Sequence, residues 1–237
     1  MAPEDLARVL VVAAHPDDVD FGAAGTVARW TDDGVEVSYC IVTDGDAGGF
    51  DEAVPRSEIA GIRRAEQLVA AAIVGVTDVV FLGYPDGRVE ATMQLRRDLS
   101  REIRRVRPQV VVTPSPERRW DRIYASHPDH LAVGESAVAA VYPDSRNPFA
   151  HPELAAAGYE AYVVDELWLL ASPTPNRWVD VTDTIDRKLA ALHAHASQHP
   201  DPEGLDERVR EWSAAHGGAG GMGSGRFAEA FQVINTR

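Results

Sequence analysis

Continuous apolar runs and helix-like patterns alternate along the first half of this chain. Arg8 to Ala14 is an apolar run that stops before Pro16, as expected for a strand buried on both faces. A helical pattern follows from Phe21 to Asp33. The alternation then repeats and predicts strands at 35–43, 78–82 and 109–113, and helices at 57–74 and 92–106. Strands joined through helices need crossover connections, so the pattern predicts a mainly parallel sheet with helices on both faces.

The second half of the chain continues this arrangement with weaker signals. The predicted elements are a strand at 163–171, a helix at 183–197 with Thr182 as its N-cap, and a helix at 203–215. Residues 227–234 fit either a short strand or a helical turn. The glycine-rich segment 217–225 fits a connector or a lid, and the connector is favoured. We therefore predict one α/β, Rossmann-like domain over residues 1–237.

Composition narrows the classes of partner. The chain has 237 residues, with 23 Lys and Arg against 37 Asp and Glu, and a net charge of −14. Such an excess of carboxylates disfavours nucleic acid and anionic lipid, which bind clustered positive charge. No apolar run is long enough for a membrane span. The single Cys40 and the acidic Glu4 and Asp5 before the first apolar run favour a cytoplasmic location over secretion. A small molecule is the expected partner.

Histidine and aspartate side chains follow two of the predicted strands. Ala14-His-Pro-Asp-Asp18 follows the first strand, and Ser126-His-Pro-Asp-His130 comes after the fourth and leads into a helix at 131–141. Ligands of parallel sheets bind outside the carboxyl ends of the strands. A dinucleotide site would show a glycine-rich turn at the first position, and carboxylates there would repel a pyrophosphate. Either segment alone also fits a turn with a helix cap, but capping does not account for both.

The two segments together offer a metal-ligand set. His15, Asp18 and His130 supply three nitrogen and oxygen ligands, as in catalytic zinc sites that keep a fourth position open, and the same donors suit Fe(II). Pro128 fits the first position of a helix, which places His127 near the N-cap and His130 one turn further on. His127 and His130 can therefore face the same side and do different work.

These segments resemble the LmbE-like N-deacetylase family, which includes the N-acetylglucosaminyl-phosphatidylinositol (PIG-L) de-N-acetylases and the mycothiol-pathway deacetylase. The resemblance covers nearly the whole chain. Weaker blocks follow in the family's order: Thr43-Asp-Gly45, Arg63-Arg-Ala-Glu66, Leu82-Gly-Tyr-Pro-Asp86, Ala191-Leu-His-Ala-His-Ala-Ser-Gln198 and Ala228-Glu-Ala-Phe231. The resemblance implies a zinc-dependent hydrolase that removes acetyl from an N-acetylated, GlcNAc-type amino sugar or its conjugate.

The resemblance also implies a role for each motif residue. It makes His15, Asp18 and His130 the zinc ligands and Asp17 the general base. It makes a protonated His127 the group that stabilises the oxyanion or donates to the leaving amine, and makes Arg63 and Asp86 sugar contacts. Arg63 equally fits a helix-surface pair with Glu66, and Asp86 fits a plain turn.

The chain departs from the family's usual first motif at one position. The family has Glu after the aspartate pair, whereas this chain has Val19 followed by Asp20. Some support around the site is therefore expected either to be lost or to be supplied by Asp20. Asp129 is expected either to orient His127 or to serve as a helix-start carboxylate. The histidines at 193, 195 and 199 are expected to pack rather than to bind a second metal.

Two other functions stay open. The same metal site would serve an amidase that cleaves a larger amide, such as a mycothiol-type thiol conjugate, and Val19 is the one hint of a metal-binding protein without turnover. The loops at 46–55 and 142–158 carry no code for the aglycone. Self-association is suggested only by relatives that assemble.

Overall fold

The computed structural model describes residues 6–199 and 201–237, which contain seven strands and eight α-helices. The strands are β1 (Arg8–Ala13), β2 (Glu36–Thr43), β3 (Asp78–Tyr84), β4 (Val110–Pro114), β5 (Glu166–Leu170), β6 (Arg177–Asp180) and β7 (Ala228–Asn235). The helices are α1 (Asp18–Gly22), α2 (Ala24–Asp32), α3 (Arg56–Ile73), α4 (Met93–Val106), α5 (Pro128–Ala139), α6 (Pro152–Ala156), α7 (Ile185–His193) and α8 (Pro202–Ala219). Short helical turns lie at 123–126, 140–144 and 196–198.

The strands form one sheet in the order β3-β2-β1-β4-β5-β7-β6. The first five strands pair in parallel, and β7 lies antiparallel between β5 and β6. This confirms the predicted α/β fold with a mainly parallel sheet. The chain reverses its direction of winding between β1 and β4, and this switch point is where open α/β sheets bind their ligands.

The core has a layer on each face of the sheet, because successive side chains of a strand point to opposite faces. Val9 and Val11 of β1 pack in the layer that contains residues of α2 and α3. Leu10 and Val12 pack in the layer that contains residues of α4 and α5. Burial on both sides explains why β1 is continuously apolar in sequence.

Some predicted elements differ from the observed ones. The helix expected at 21–33 is two helices, α1 and α2, broken at Ala23, whose φ of −146° is not helical. The N-cap of α7 is Thr184 rather than Thr182. The Thr182 hydroxyl instead accepts a hydrogen bond from the backbone N–H of Phe227. Residues 227–234 fall almost wholly within a strand, β7, and its partner β6 was not predicted, because its four half-exposed residues carry no apolar run.

The glycine-rich segment begins inside α8, and two of its glycines are required by close packing. A Cβ on Gly217 would lie 2.6 Å from the carbonyl oxygen of Arg226, and one on Gly220 would lie 2.8 Å from the Trp178 side chain. Such contacts favour the connector over the lid. Among the described residues, none of the helices combines the length and apolar character that crossing a bilayer requires.

Candidate metal and catalytic site

The two histidine- and aspartate-bearing segments meet at one edge of the sheet. β1 and β4 are parallel neighbours, with Val9 beside Val110, so the loops that follow them leave the sheet at the same end. Pro128 is the first residue of α5 and His127 is its N-cap, as predicted. The sheet therefore brings together residues that lie more than 100 positions apart in sequence.

His15, Asp18 and His130 form a compact group of donor atoms. Nδ1 of His15 lies 3.3 Å from Nε2 of His130, and Nε2 of His130 lies 3.0 Å from Oδ1 of Asp18. The remaining pair, Nδ1 of His15 and Oδ2 of Asp18, is 3.5 Å apart. Ligands that bind a tetrahedral zinc at about 2.0–2.1 Å lie roughly 3.4 Å from one another. The spacing of these donors therefore fits a metal ion.

Asp129 fixes the imidazole of His15. Its Oδ2 lies 3.1 Å from Nε2 of His15, and the carboxylate also accepts from the backbone N–H groups of Gly87 at 2.8 Å and Val89 at 3.1 Å. A carboxylate on the far nitrogen of a ligand histidine sets its tautomer and leaves the other nitrogen for the metal. Two roles were expected for Asp129 from sequence, orienting His127 or serving as a helix-start carboxylate. The residue does lie in the first turn of α5, but its side chain contacts His15.

The carboxylates around His15 dominate its electrostatics. Burial lowers the pKa of His15, but Asp129, Asp18 and Asp86 outweigh it and raise the pKa to about 12. The negative charge of these carboxylates therefore favours the binding of a cation at this site. Metal binding requires a neutral imidazole and releases its proton, and a divalent ion would offset the same carboxylates.

Asp17 is held beside the ligands but does not belong to the donor group. Its backbone lies in the left-handed region, with φ 87°, which Asp tolerates better than most residues. Its backbone N–H donates to Oε1 of Gln67 at 2.9 Å, and its Oδ2 accepts from Nη2 of Arg63 at 3.1 Å. Burial raises the pKa of Asp17 to about 6, against the opposing charge of Arg63. A carboxyl group that titrates near neutrality is suited to general-base work.

His127 offers a hydrogen-bond donor to the site. Its Nδ1 accepts the backbone N–H of Asp129 at 3.2 Å, so in the neutral ring the proton sits on Nε2. Burial and the neighbouring His15 lower the pKa of His127. The lowered pKa disfavours the protonated ring expected from sequence, and that expectation stays a prediction. Of the two predicted roles, a neutral Nε2–H fits stabilisation of an oxyanion.

Arg63 and Asp86 both lie at the site, and both are engaged with the protein. Arg63 donates to the carbonyl oxygen of Pro16 at 2.6 Å as well as to Asp17, and it does not form the helix-surface pair with Glu66. Oδ1 of Asp86 lies 3.1 Å from Nε2 of His15, and its Oδ2 accepts from the backbone N–H of Ala47. Their contact with a sugar remains a prediction.

Asp20 does not touch the donor atoms. Its Oδ2 accepts from Nε2 of Gln67 at 3.1 Å and lies 2.8 Å from Nε2 of His195, and all three side chains are fully buried. Gln67 in turn accepts from the backbone of Asp17. Asp20 thus supports Asp17 through Gln67. Gln67 was not singled out from sequence, and His195 was expected to pack. A polar residue on the apolar face of α3 was the available signal for Gln67.

A large cavity opens beside the donor group. Its volume is about 530 Å³, and it runs from Asp18 and His130 past Phe21 and Leu170 to Trp212 on α8. Asp17, His127 and Asp86 are not among its lining residues. The cavity therefore reaches the donor group at Asp18 and His130 only.

A family model described as "PIG-L: GlcNAc-PI de-N-acetylase" matches residues 10–141, which span the first metal segment and α5. The chain is 33% identical to diacetylchitobiose deacetylase of Thermococcus kodakarensis, over 83% of this chain and 72% of that protein. It is 32% identical to 1D-myo-inositol 2-acetamido-2-deoxy-alpha-D-glucopyranoside deacetylase of Actinosynnema mirum, over 90% of this chain and 84% of that protein.

The fold is likewise similar to a solved deacetylase structure. N,N'-diacetylchitobiose deacetylase from Pyrococcus horikoshii, solved with its inhibitor MPG, superposes with a TM-score of 0.90 and 32% identity. The match covers 98% of this chain and 85% of that one. The similarity therefore extends beyond the matched family region to the C-terminal strands and helices.

Proposed function

The chain belongs to the PIG-L (GlcNAc-PI de-N-acetylase) family, and from that premise we propose that it is a zinc-dependent deacetylase of a GlcNAc-type amino sugar or conjugate. The observation that carries the proposal is the donor group of His15, Asp18 and His130 with the partly buried Asp17 carboxyl, held by Arg63, beside it. Relatives named as deacetylases of acetylated glucosamine compounds support the substrate class.

The reaction adds water across the amide and yields acetate and a free amine. A zinc ion held by the donor group would supply Lewis acidity to the scissile carbonyl and to the attacking water. Asp17 takes the water proton, and Arg63 holds the Asp17 carboxylate in place. The Nε2–H of His127 donates to the carbonyl oxygen as negative charge develops there. Asp129 keeps His15 in the tautomer that presents Nδ1.

Acetate release tests the proposal. The protein is assayed on diacetylchitobiose, an N-acetylglucosaminyl inositol and a thiol conjugate of mycothiol type, with and without chelator, and then with zinc or Fe(II) restored. We expect chelator-sensitive acetate release from at least one N-acetylglucosaminyl compound. Cleavage of the thiol conjugate alone would favour the amidase function. An absence of turnover with either metal would favour a metal-binding protein without catalytic activity.

Asp17→Asn separates binding from chemistry. We expect this variant to keep its metal and to lose about 10²- to 10⁴-fold in kcat, because the amide cannot accept the proton. His15→Ala should lose the metal as well, as measured by elemental analysis. Asp33→Asn is the matched control, since Asp33 is exposed at the end of α2. Normal turnover in Asp17→Asn would refute the assignment of Asp17 as the general base.

The finer expectations stay predictions. They are the cytoplasmic location, the single-domain organisation, self-association and the sugar contacts of Arg63 and Asp86. Zinc is proposed over Fe(II) because its tetrahedral geometry matches the donor spacing.

A further inference from the structure

The cavity beside the donor group is larger than an acetyl group requires. At about 530 Å³ it falls within the range of pockets that enclose whole small ligands. An acetamide places only a methyl group beyond its carbonyl carbon. Most of the wall is apolar and includes Phe21, Leu170, Ala228 and the indole of Trp212.

Most charged groups of the wall are engaged within the protein. Lys188 pairs with Glu229 and Arg119 pairs with Asp121, whereas Arg122 contacts aromatic rings rather than a carboxylate. Nζ of Lys188 donates to Glu229 at 2.5 Å and to the carbonyl oxygen of Phe21 at 2.6 Å. The guanidinium of Arg122 stacks over the Trp212 ring at 4.4 Å, and Nε1 of Trp212 donates to Nε2 of His216 at 3.2 Å. With these groups engaged, the occupant that gains most from the cavity is an apolar one.

The position of the cavity indicates which part of the substrate enters it. A carbonyl carbon at the donor group carries two substituents, the sugar nitrogen and the acyl chain. Asp86, the proposed sugar contact, does not line the cavity, and neither do Asp17 and His127. The proposed ligand residues Asp18 and His130 form one end of it. A sugar on the Asp86 side directs the acyl chain into the cavity.

We propose that the cavity is an acyl subsite and that the enzyme hydrolyses amino sugars with N-acyl chains longer than acetyl, such as butanoyl and hexanoyl, at least as well as N-acetyl ones. The inference rests on the proposed deacetylase function. In the reaction the amide C–N bond breaks, a C–O bond forms to the water oxygen, and the products are the fatty acid and the amine that takes up the water proton. Each methylene that leaves water for an apolar wall contributes roughly a factor of four to binding.

The test uses two substrate series and release of free amine as the readout. One series varies the acyl group of glucosamine through acetyl, butanoyl and hexanoyl. The other keeps N-acetyl and enlarges the aglycone from hydroxyl to methyl to phenyl. We expect kcat/KM for the hexanoyl substrate to equal or exceed that for the acetyl one. Trp212→Ala, which removes a wall, should lower the hexanoyl-to-acetyl ratio at least tenfold, and Trp212→Phe should largely restore it.

Trp120→Ala is the matched control, because Trp120 is 82% exposed and does not line the cavity. The hexanoyl-to-acetyl ratio is taken within each variant, so a general loss of folded protein affects both substrates equally and cancels. A hexanoyl-to-acetyl ratio below one, or a ratio that Trp212→Ala does not change, would overturn the acyl subsite. The acyl subsite would also be overturned if the loss of kcat/KM in Trp212→Ala depended on the size of the aglycone rather than on the length of the acyl chain. Failure to cleave any N-acetyl compound, with the hexanoyl one cleaved, would refute the deacetylase proposal and leave the subsite standing.

Discussion

The only lysine of the chain forms a buried ion pair whose loss should be costly. Nζ of Lys188 on α7 lies 2.5 Å from Oε1 of Glu229 on β7, and the two side chains are 2% and 3% exposed. The Glu229 carboxylate also accepts from the backbone N–H groups of Gly25 at 3.0 Å and Thr26 at 2.8 Å, in the first turn of α2. The pair thus ties β7 to α7 and to the first turn of α2.

Lys188→Met removes the cation and leaves the Glu229 carboxylate buried. Removing one partner of a buried pair costs about 3 to 5 kcal/mol, because the remaining charge keeps its desolvation penalty. For a chain of this size that is a fall in Tm of roughly 6 to 20 °C. The double variant Lys188→Met, Glu229→Gln removes both charges and keeps an acceptor for one of the two α2 amides. It should recover part of the loss.

Urea unfolding followed by circular dichroism measures these changes. All variants are compared at the same metal content, since a metal bound only to the folded state adds its own stability. Arg210→Met is the surface control, because its partner Asp186 is 85% exposed, and we expect a change below about 1 kcal/mol. A loss below about 1 kcal/mol in Lys188→Met, or a double variant no more stable than the single one, would refute the reasoning.

Three further predictions concern other groups. Asp129→Ala should weaken metal binding about 10- to 100-fold, as measured by a chelator competition titration. Asp129→Asn keeps an acceptor for His15 and should lose less affinity. A metal affinity of Asp129→Ala equal to that of the wild type would contradict the role of this carboxylate. Burial lowers the pKa of His195, but Asp20 outweighs it and raises the pKa above the ordinary value of 6.5, so the stability from this protonated ring is complete below pH 6.5 and is lost as pH rises through the folded-state pKa. The difference in unfolding free energy between wild type and His195→Gln should therefore shrink with rising pH, and a difference that grows would contradict the pairing. Burial raises the pKa of the Cys40 thiol, so a thiol reagent should label it only at the rate of unfolding, and fast labelling of the folded protein would contradict its burial.

The group of His15, Asp18 and His130 that could hold a metal ion was found from sequence because its signal is local. His15 and Asp18 lie within one turn after a buried strand, and His130 lies one turn into a helix whose start Pro128 marks. The parallel arrangement of β1 and β4 could be predicted from the alternating pattern. Together these were enough to place the ligands at one edge of the sheet.

The support around the ligands could not be predicted in the same way. Asp129 bonds to His15 across 114 positions of sequence, and His195 reaches Asp20 across 175. Which carboxylate meets which imidazole depends on side-chain directions that no local pattern records. The strands β6 and β7 were uncertain for a related reason, since a short antiparallel strand is stabilised by its neighbours rather than by its own residues.

The sequence by itself determined the fold class, the donor set and the family, because hydrophobic period and the order of chemistry-bearing residues are properties of the chain. The tertiary structure decided the rest. It placed Asp129 against His15, lowered the pKa of His127 and raised the pKa of Asp17 to about 6. It also opened the cavity between β5, β7 and α8. These properties arise from burial and from distances between residues far apart in the chain, and both exist only once the sheet has formed.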